Sequence, residues 1–445
     1  MCWGENTAGE LGDGTTTTRL APVSVVGLDE TVTAVATGDT HTCALMQSGV
    51  VRCWGANDHG QLGDGTTRDN PDPVAVQGLS DISAIAAGDN HTCALTTDGG
   101  VKCWGDNADG ELGDGTTQRR PIPVDVNGVA NGARAIAAGG AYSCALLASG
   151  RMKCWGRNDH GQLGDGTTEQ RLTAVDVFAK VSRQSVPAAD PVCTQAEYHP
   201  AGAFYRYQNT CRYPVSTYVC VGTYDPFVGN DPPCHLAPDY SVHLRLDVQQ
   251  TIDVSITPPT TGLREYNEMK ECPKTDVIPS GPLDNFPCNR ASLLAGVGAI
   301  AAGAAHTCAL TTAGGAKCWG DNAQGELGNG RRIDVSTPVD VVGLTESVAA
   351  IAAGAAHSCA VTGSSAAQCW GGNDHGQLGD GTTRNRRTPV GVIGLTGGVK
   401  SIAAGEVSCA VAQPGGLRCW GQNGTGELGN GSTVEAHRPV RVKGF

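Results

Sequence analysis

The 445 residues carry 31 Lys and Arg against 44 Asp and Glu, a formal charge of −13, together with 63 glycines and 19 cysteines. That acidic balance disfavours an extended basic track for nucleic acid, and no apolar run reaches the length of a membrane-spanning helix. Glycine is well above the usual ~7% but recurs at fixed positions, so it reads as turn and packing glycine rather than linker.

In chain order, the first landmark is Cys2-Trp3-Gly4, followed by Asn6 and Gly9-Glu-Leu-Gly-Asp-Gly-Thr15. The next stretch holds a complete unit: an Ala- and Val-rich run at 32–37, His41-Thr-Cys-Ala-Leu45, Val51-Arg-Cys-Trp-Gly55, and a run that ends near Val76 after Asn57-Asp-His-Gly-Gln-Leu-Gly63. Each run is short and bounded by Gly, Asp, Asn or Pro, which predicts strands rather than helices. Cys-Trp-Gly recurs with tryptophans at 3, 54, 104, 155, 319, 370 and 420, and these are all the tryptophans of the chain. The spacing is a unit of about 50 residues with one interruption, and a period of that size indicates a stacked or closed array. Seven four-stranded units predict an all-β fold, a seven-bladed β-propeller with its first blade incomplete. The recurring Ala-Ile-Ala-Ala-Gly is assigned to the strand nearest the axis, where converging blades leave room only for small side chains.

These residues resemble the regulator of chromosome condensation family, whose repeats carry His-Thr/Ser-x-Ala-Leu, Val-x-x-Trp-Gly and Asn-x-x-Gly-Gln-Leu-Gly. The resemblance covers about three quarters of the chain and implies a seven-bladed propeller used as a binding platform. It divides the chain into propeller repeats at 1–177, an inserted module at 178–290 and further repeats at 291–445.

Six units place cysteines ten residues apart: Cys43 and Cys53, Cys93 and Cys103, Cys144 and Cys154, Cys308 and Cys318, Cys359 and Cys369, Cys409 and Cys419. Strands joined by a short hairpin set such residues opposite each other, close enough for a disulfide after modest closure. Each bridge would stabilise by somewhat under ~3 kcal/mol in the chain-entropy account. Reduced core thiols and a metal site are the alternatives. Cys-x-x-Cys, the common zinc spacing, is absent from the sequence, and disulfides are favoured. Oxidised cysteines imply an extracellular, periplasmic or cell-surface home, a bacterial one included. The sequence starts inside a repeat at Met1-Cys-Trp-Gly and shows no basic-then-apolar signal pattern there, and the first unit lacks its two inner strands, leaving Cys2 as the odd cysteine. A late start of the sequence is expected to account for both, with a true half-blade as the alternative.

The 178–290 stretch differs in composition. It holds eight of nine tyrosines, four of five phenylalanines and six cysteines, Cys193, Cys211, Cys220, Cys234, Cys272 and Cys288. It is expected to be a small β-rich module with three disulfides of undetermined connectivity. Tyr205, Tyr207, Tyr213, Tyr218 and Tyr224 are candidate ligand-contact aromatics, with core packing as the alternative. His199, His235, His243 and Asp239 would matter only if they shared one pocket.

Catalytic, cofactor and metal sites are not expected. His41, His91, His306 and His357 occupy one repeat position, and an active site does not need one group four times; a structural hydrogen bond is the expected role. The Asp-Gly-Thr-Thr loops at Asp64, Asp114, Asp165 and Asp380 lack the ligand series of an EF-hand and fit Asx-type turns. Gly296-Val-Gly-Ala-Ile-Ala only partly matches a dinucleotide fingerprint. Basic residues cluster at Arg331, Arg332 and Arg384-Asn-Arg-Arg387. The leading expectation is a non-enzymatic exported binding or adhesion scaffold whose rim and insert contact a protein or glycan. A guanine-nucleotide exchange factor for a small GTPase, and a displayed carbohydrate-binding or hydrolase insert, are the alternatives.

Overall fold

The computed structural model describes residues 1–180, 291–413 and 416–444, with the backbone of six further strands between 194 and 272. The chain divides into two units, Met1–Lys180 with Ser292–Phe445, and Val181–Ala291.

The first unit contains six four-stranded antiparallel sheets in consecutive strand order. Blade 1 is Val32–Thr37, His41–Met46, Val51–Gly55 and Asn70–Ala75; blade 2 is Ile82–Ala87, His91–Thr96, Val101–Gly105 and Arg120–Asp125; blade 3 is Ala133–Ala138, Tyr142–Leu147, Met152–Gly156 and Arg171–Asp176. Blade 4 is Val297–Ala302, His306–Thr311, Ala316–Gly320 and Val335–Asp340; blade 5 is Val348–Ala353, His357–Thr362, Ala367–Gly371 and Arg386–Gly391; blade 6 is Val399–Ala404, Val407–Ala412, Gly416–Gly421 and Ala436–Arg441. Cys2–Gly4 and Arg19–Val23 form a two-stranded sheet. The expectation of seven blades is therefore corrected to six complete blades and a two-stranded sector. The physical reason lies in the chain: it supplies seven Cys-Trp-Gly strands but only six axial strands to pair with them.

The axial strands carry alanine because they converge on one cavity of about 300 Å³, lined by residues such as Ala36, Ala86, Ala137, Ala301, Ala352 and Ala403. Between blades the core is made by the middle strands. Cys43, Leu45, Val51 and Leu62 of blade 1 pack on Ala94, Trp104 and Ile85 of blade 2, and the pattern repeats at the next seams. The tryptophan of each complete blade serves twice: its ring is buried, and its indole N–H donates to a backbone carbonyl of the preceding unit, as from Trp104 Nε1 to Gln61 O at 2.9 Å. Glycine follows the tryptophan because the chain there takes φ +107° at Gly105, with Asn90 O only 2.5 Å from where a Cβ would stand. Only glycine meets both conditions.

The cysteine pairs lie in direct register, Cys43 opposite Cys53 and likewise in the five other blades. Their sulfurs are at bonding distance, with Cα atoms 4.1 Å apart in blade 1. Cys2 stands half-buried and unpaired.

Phe178–Lys180 pairs with Ala291–Leu293, and Ala179 packs on the core. In the second unit, Thr194–His199, Phe204–Asn209 and Thr251–Ser255 form one three-stranded sheet, and Val215–Thr223, Ser241–Leu246 and Glu265–Cys272 form another. The module's cysteines (193, 211, 220, 234, 272, 288), the five candidate tyrosines, and His199, His235, His243 and Asp239 all lie outside the residues whose side chains are described.

Candidate interaction face

Antiparallel order within each blade puts the turn between its first and second strands at the same end as the loop between its third and fourth. That end of the propeller gathers nearly all the polar residues the repeats have in common. The repeated histidine is its innermost element. His41 Nε2 lies 2.8 Å from Thr92 Oγ1, and the Thr92 hydroxyl donates to Gln61 O at 3.1 Å. With that hydroxyl proton committed to the carbonyl, the imidazole must donate, which fixes the Nε2–H tautomer. The relay from imidazole to hydroxyl to carbonyl recurs from His91 through Ser143, His306 through Ser358, and His357 through Ser408. At the seam of blades 3 and 4, Tyr142 takes the role: its hydroxyl donates to His306 O and lies 2.9 Å from the Thr307 hydroxyl, which in turn reaches Gln162 O. Burial holds His41 and His306 down to about 3 and His91 and His357 to about 4. They are neutral at physiological pH and walled off from solvent, so they join blades and have no route to act as general acids or bases.

The Asp-Gly-Thr-Thr loops are equally self-contained. Asn57 Nδ2 donates to Thr66 O, and its Oδ1 accepts from Leu62 N at 2.9 Å. Asp64 accepts from the N–H and hydroxyl of Thr66. Asp114 adds Arg120 at 2.8 Å, Asp165 adds Arg171 and Asp380 adds Arg386. These hydrogen bonds hold the Asp114 and Asp380 carboxyls below the usual range against the opposing effect of burial, which is the larger single cause. Asx turns use these oxygens, with an arginine cap at Asp114, Asp165 and Asp380.

The surface of this end carries two charge features. At the axis the turns present Asp39, Asp89 and Glu406, and the Asp39 N–H donates to Asp89 O at 3.2 Å. Crowding at the mouth raises the Asp89 carboxyl, first by desolvation and then by the Asp39 charge; Glu406 is raised by desolvation and by Asp39, Glu427 and Glu5. On the rim of blades 4 and 5, Arg331, Arg332, Arg384 and Arg387 are exposed, with Gly330 N hydrogen-bonded to Arg387 O between the two loops. Arg386, the fifth residue of the basic cluster, belongs to Asp380.

A third feature escaped the sequence reading. His160 Nδ1 of blade 3 lies 2.8 Å from Asp334 Oδ2 and 4.0 Å from Asp321 Oδ1 of blade 4, and the Asp334 hydrogen bond raises its pKa. His59 meets Asp106 at 3.4 Å and His375 meets Glu435 at 3.1 Å at the seams of blades 1 and 2 and of blades 5 and 6. His160, Asp321 and Asp334 are close enough together to hold a cation, but ion pairing across the seam accounts for the set. The signal was present as Asp-His-Gly at Asp58, Asp159 and Asp374, every histidine one residue before the shared glycine.

Residues 2–45, 48–95, 98–146, 318–361 and 369–412 match the regulator of chromosome condensation (RCC1) repeat, and a second description of that repeat matches 32–61, 82–111, 133–162, 299–326 and 348–377. These stretches cover more than half of the sequence. The chain belongs to the RCC1 repeat family. Among curated RCC1 relatives, it is 27% identical over 406 residues to the ultraviolet-B receptor UVR8 of Arabidopsis thaliana, spanning 87% of this chain and 76% of that one. It is 43% identical over 103 residues to the E3 ubiquitin-protein ligase HERC2 of Homo sapiens, 23% of this chain but 2% of HERC2. Among solved structures, yeast RCC1 (Prp20) bound to Kap60 superposes with a TM-score of 0.65 at 20% identity, covering 100% of this chain and 83% of that one. Human WBSCR16 gives 0.65 at 16% identity, with 99% and 92% covered. At such identities the structures speak for the propeller fold alone. The named relatives are a plant and an animal protein, and a bacterial source draws no support from them.

Proposed function

We propose that this RCC1-repeat protein is a non-enzymatic protein-binding platform, exported from the cytoplasm, that receives a basic segment of a partner protein at the axial end bearing Asp39, Asp89 and Glu406. The observation that carries the reading is how the polar groups are used. The buried histidines, asparagines and loop aspartates are spent on joining blades and capping turns, while Asp39, Asp89 and Glu406 at the axis and the rim arginines of blades 4 and 5 stand exposed beside other loop charges such as Arg68, Arg119 and Glu169. A rigid face with separated charge of both signs is built for electrostatic complementarity with another protein. A glycan partner has less behind it: among the described residues every tryptophan and tyrosine is buried or half-buried, leaving no flat aromatic face for a sugar ring.

Export rests on the six facing cysteine pairs, since such bridges persist in oxidising compartments. A guanine-nucleotide exchange role is the second reading. It is favoured by the likeness in fold to Prp20p of Saccharomyces cerevisiae, studied for its binding to Gsp1p and histones.

Two measurements test the proposal. Cross-linking in the native source should capture a protein partner with wild type and lose it, with salt sensitivity, in D39K/D89K/E406K; capture unaffected by the triple reversal would overturn the axial site. Mass spectrometry with alkylation before and after reduction should find the twelve blade cysteines oxidised, and free thiols throughout would move the protein to a reducing compartment and favour the exchange-factor reading.

A further inference from the structure

The seam between blades 3 and 4 carries more charge than its ion pair needs. Three seams share one design, in which a histidine just before the shared glycine of one blade, His59, His160 or His375, reaches a carboxylate of the next. The receiving blade has two positions for that carboxylate: the residue before its repeated asparagine, and the residue 12 positions after it, as Asp334 stands to Asn322. At blades 1 and 2 these are Asp106 and Arg119, and the guanidinium takes Asp106 at 3.1 Å. At blades 5 and 6 they are Gln422 and Glu435, and Glu435 is divided between His375 at 3.1 Å and His437 at 2.9 Å. Of the three, the seam of blades 3 and 4 has carboxylates at both positions, Asp321 and Asp334.

Each donor is braced. Asp334 Oδ1 accepts from Asn322 N at 3.0 Å, which leaves Oδ2 for His160 Nδ1 at 2.8 Å. Asp321 Oδ1 accepts from Ala323 N at 3.0 Å and lies 4.0 Å from the same imidazole nitrogen. The donor atoms of the three residues lie within 4.8 Å of one another, the one such set among the described residues. Tetrahedral zinc with ligands at about 2.1 Å sets its donors about 3.4 Å apart, between the two distances seen. Behind the ring, Nε2 faces the Asp159 carboxylate at 3.9 Å, which Arg157 holds in place; a carboxylate in that position favours the Nε2–H tautomer and makes Nδ1 a better ligand. This seam also has a use for a clamp. The chain between blades 3 and 4 runs through the second unit, Val181–Ala291, and Tyr142 stands here where the other relays have an imidazole.

We infer that His160, Asp321 and Asp334 form a binding site for one zinc ion that ties blade 3 to blade 4. On binding, His160 Nδ1 gives up its proton to solvent and coordinates through its lone pair, and one oxygen of each aspartate completes a three-residue set. The fourth position is open to water, because all three side chains are partly exposed. Imidazole with carboxylates suits zinc, whereas calcium and magnesium favour oxygen ligands alone. The hydrogen bond from His160 to Asp334 is then the metal-free form of the same site: loss of one proton exchanges it for two bonds to the ion.

The test is a calorimetric titration of zinc chloride into the whole protein, disulfides intact, at neutral pH. H160Q, D321Q and D334N each install a side chain that another blade already uses at the matching position, Gln324, Gln422 and Asn385, so all three should fold and should melt as wild type does without metal. Each is expected to bind one equivalent of zinc fewer than wild type, or to bind it more weakly by about tenfold or more, and to lose the rise in thermal midpoint that zinc gives the wild type. R119D, which sets a second carboxylate beside His59 and Asp106, is expected to gain one equivalent. Equal zinc uptake by wild type and H160Q, or calcium competing with zinc on equal terms for the equivalent that H160Q loses, would overturn the inference.

Discussion

The seam between blades 1 and 2 and the seam between blade 6 and blade 1 are built from the same repeat, yet one is packed through its full depth and the other only through its outer half. In the first, Leu45 and Ile85 meet in the core, His41 reaches Thr92, and Gly38 lies against Gly88 O. In the second, Trp3 and Glu427 meet at the outside while Val35 and Val411 face solvent. The comparison separates two contributions that the closed seams blend. The outer half is held by indole-to-carbonyl bonds together with loop contacts such as Gly431 N to Leu20 O, and the inner half depends on small axial residues, a polar relay and aliphatic packing delivered together by two adjacent strands.

The largest expected effect is at the tryptophans. Trp104→Ala removes a side chain that is fully buried and a bond to Gln61 O, and should cost about 3–5 kcal/mol; Trp3→Ala, half-buried at the open seam, should cost clearly less. Urea unfolding of both variants would check this, and equal losses would mean that the open seam bears as much load as the closed one. Next comes the axial glycine. At Gly88 a methyl group would lie 2.3 Å from Gly139 O and 2.2 Å from the His91 ring, while at Gly405 it meets nothing nearer than 4.0 Å. Gly88→Ala should therefore cost about 1–3 kcal/mol or more through overpacking, and Gly405→Ala should leave the thermal midpoint unchanged.

A further effect concerns pH and exists only where the relay is complete. A histidine held near 3 to 4 when folded but titrating at 6.5 when unfolded gives stability that is present above pH 6.5 and lost as pH falls toward 4. Glu111 and Glu326, raised by burial from 4.5 to about 7, act in the opposite direction, giving stability below pH 4.5 that is lost as pH rises to 7. Four histidines outweigh two glutamates, so the unfolded chain binds about two more protons between pH 4.5 and 6.5, and stability should rise with pH there by up to about 3 kcal/mol per unit. His91→Ala should flatten that slope by about 1.4 kcal/mol per unit, and denaturant midpoints at half-unit steps would read the change. A Val407→His variant, facing no hydroxyl at the open seam, should not restore a slope of the relay kind.

What the sequence determined by itself is the repeating unit. Cys-Trp-Gly spacing, short runs between turn residues, the ten-residue cysteine interval and the alanine-rich axial strand were legible because each is local: a strand alternates, a hairpin has a fixed length, and a glycine with positive φ leaves its mark wherever the turn recurs. The role of the repeated histidine was legible in kind, as a structural hydrogen bond, but not in partner, because Thr92 and Ser143 stand about fifty residues away and belong to the next blade. The tertiary structure alone decided which residues meet across seams. It brought His160 to Asp334 over 174 positions, gave Arg386 to Asp380 while leaving Arg384 exposed, gathered Asp39, Asp89 and Glu406 at one axial mouth, and left Val35 in solvent where its counterparts are packed. Closure of a ring sets those contacts. Each blade's neighbours are fixed by how many complete blades share the circle, a property of the assembled units that no single repeat encodes.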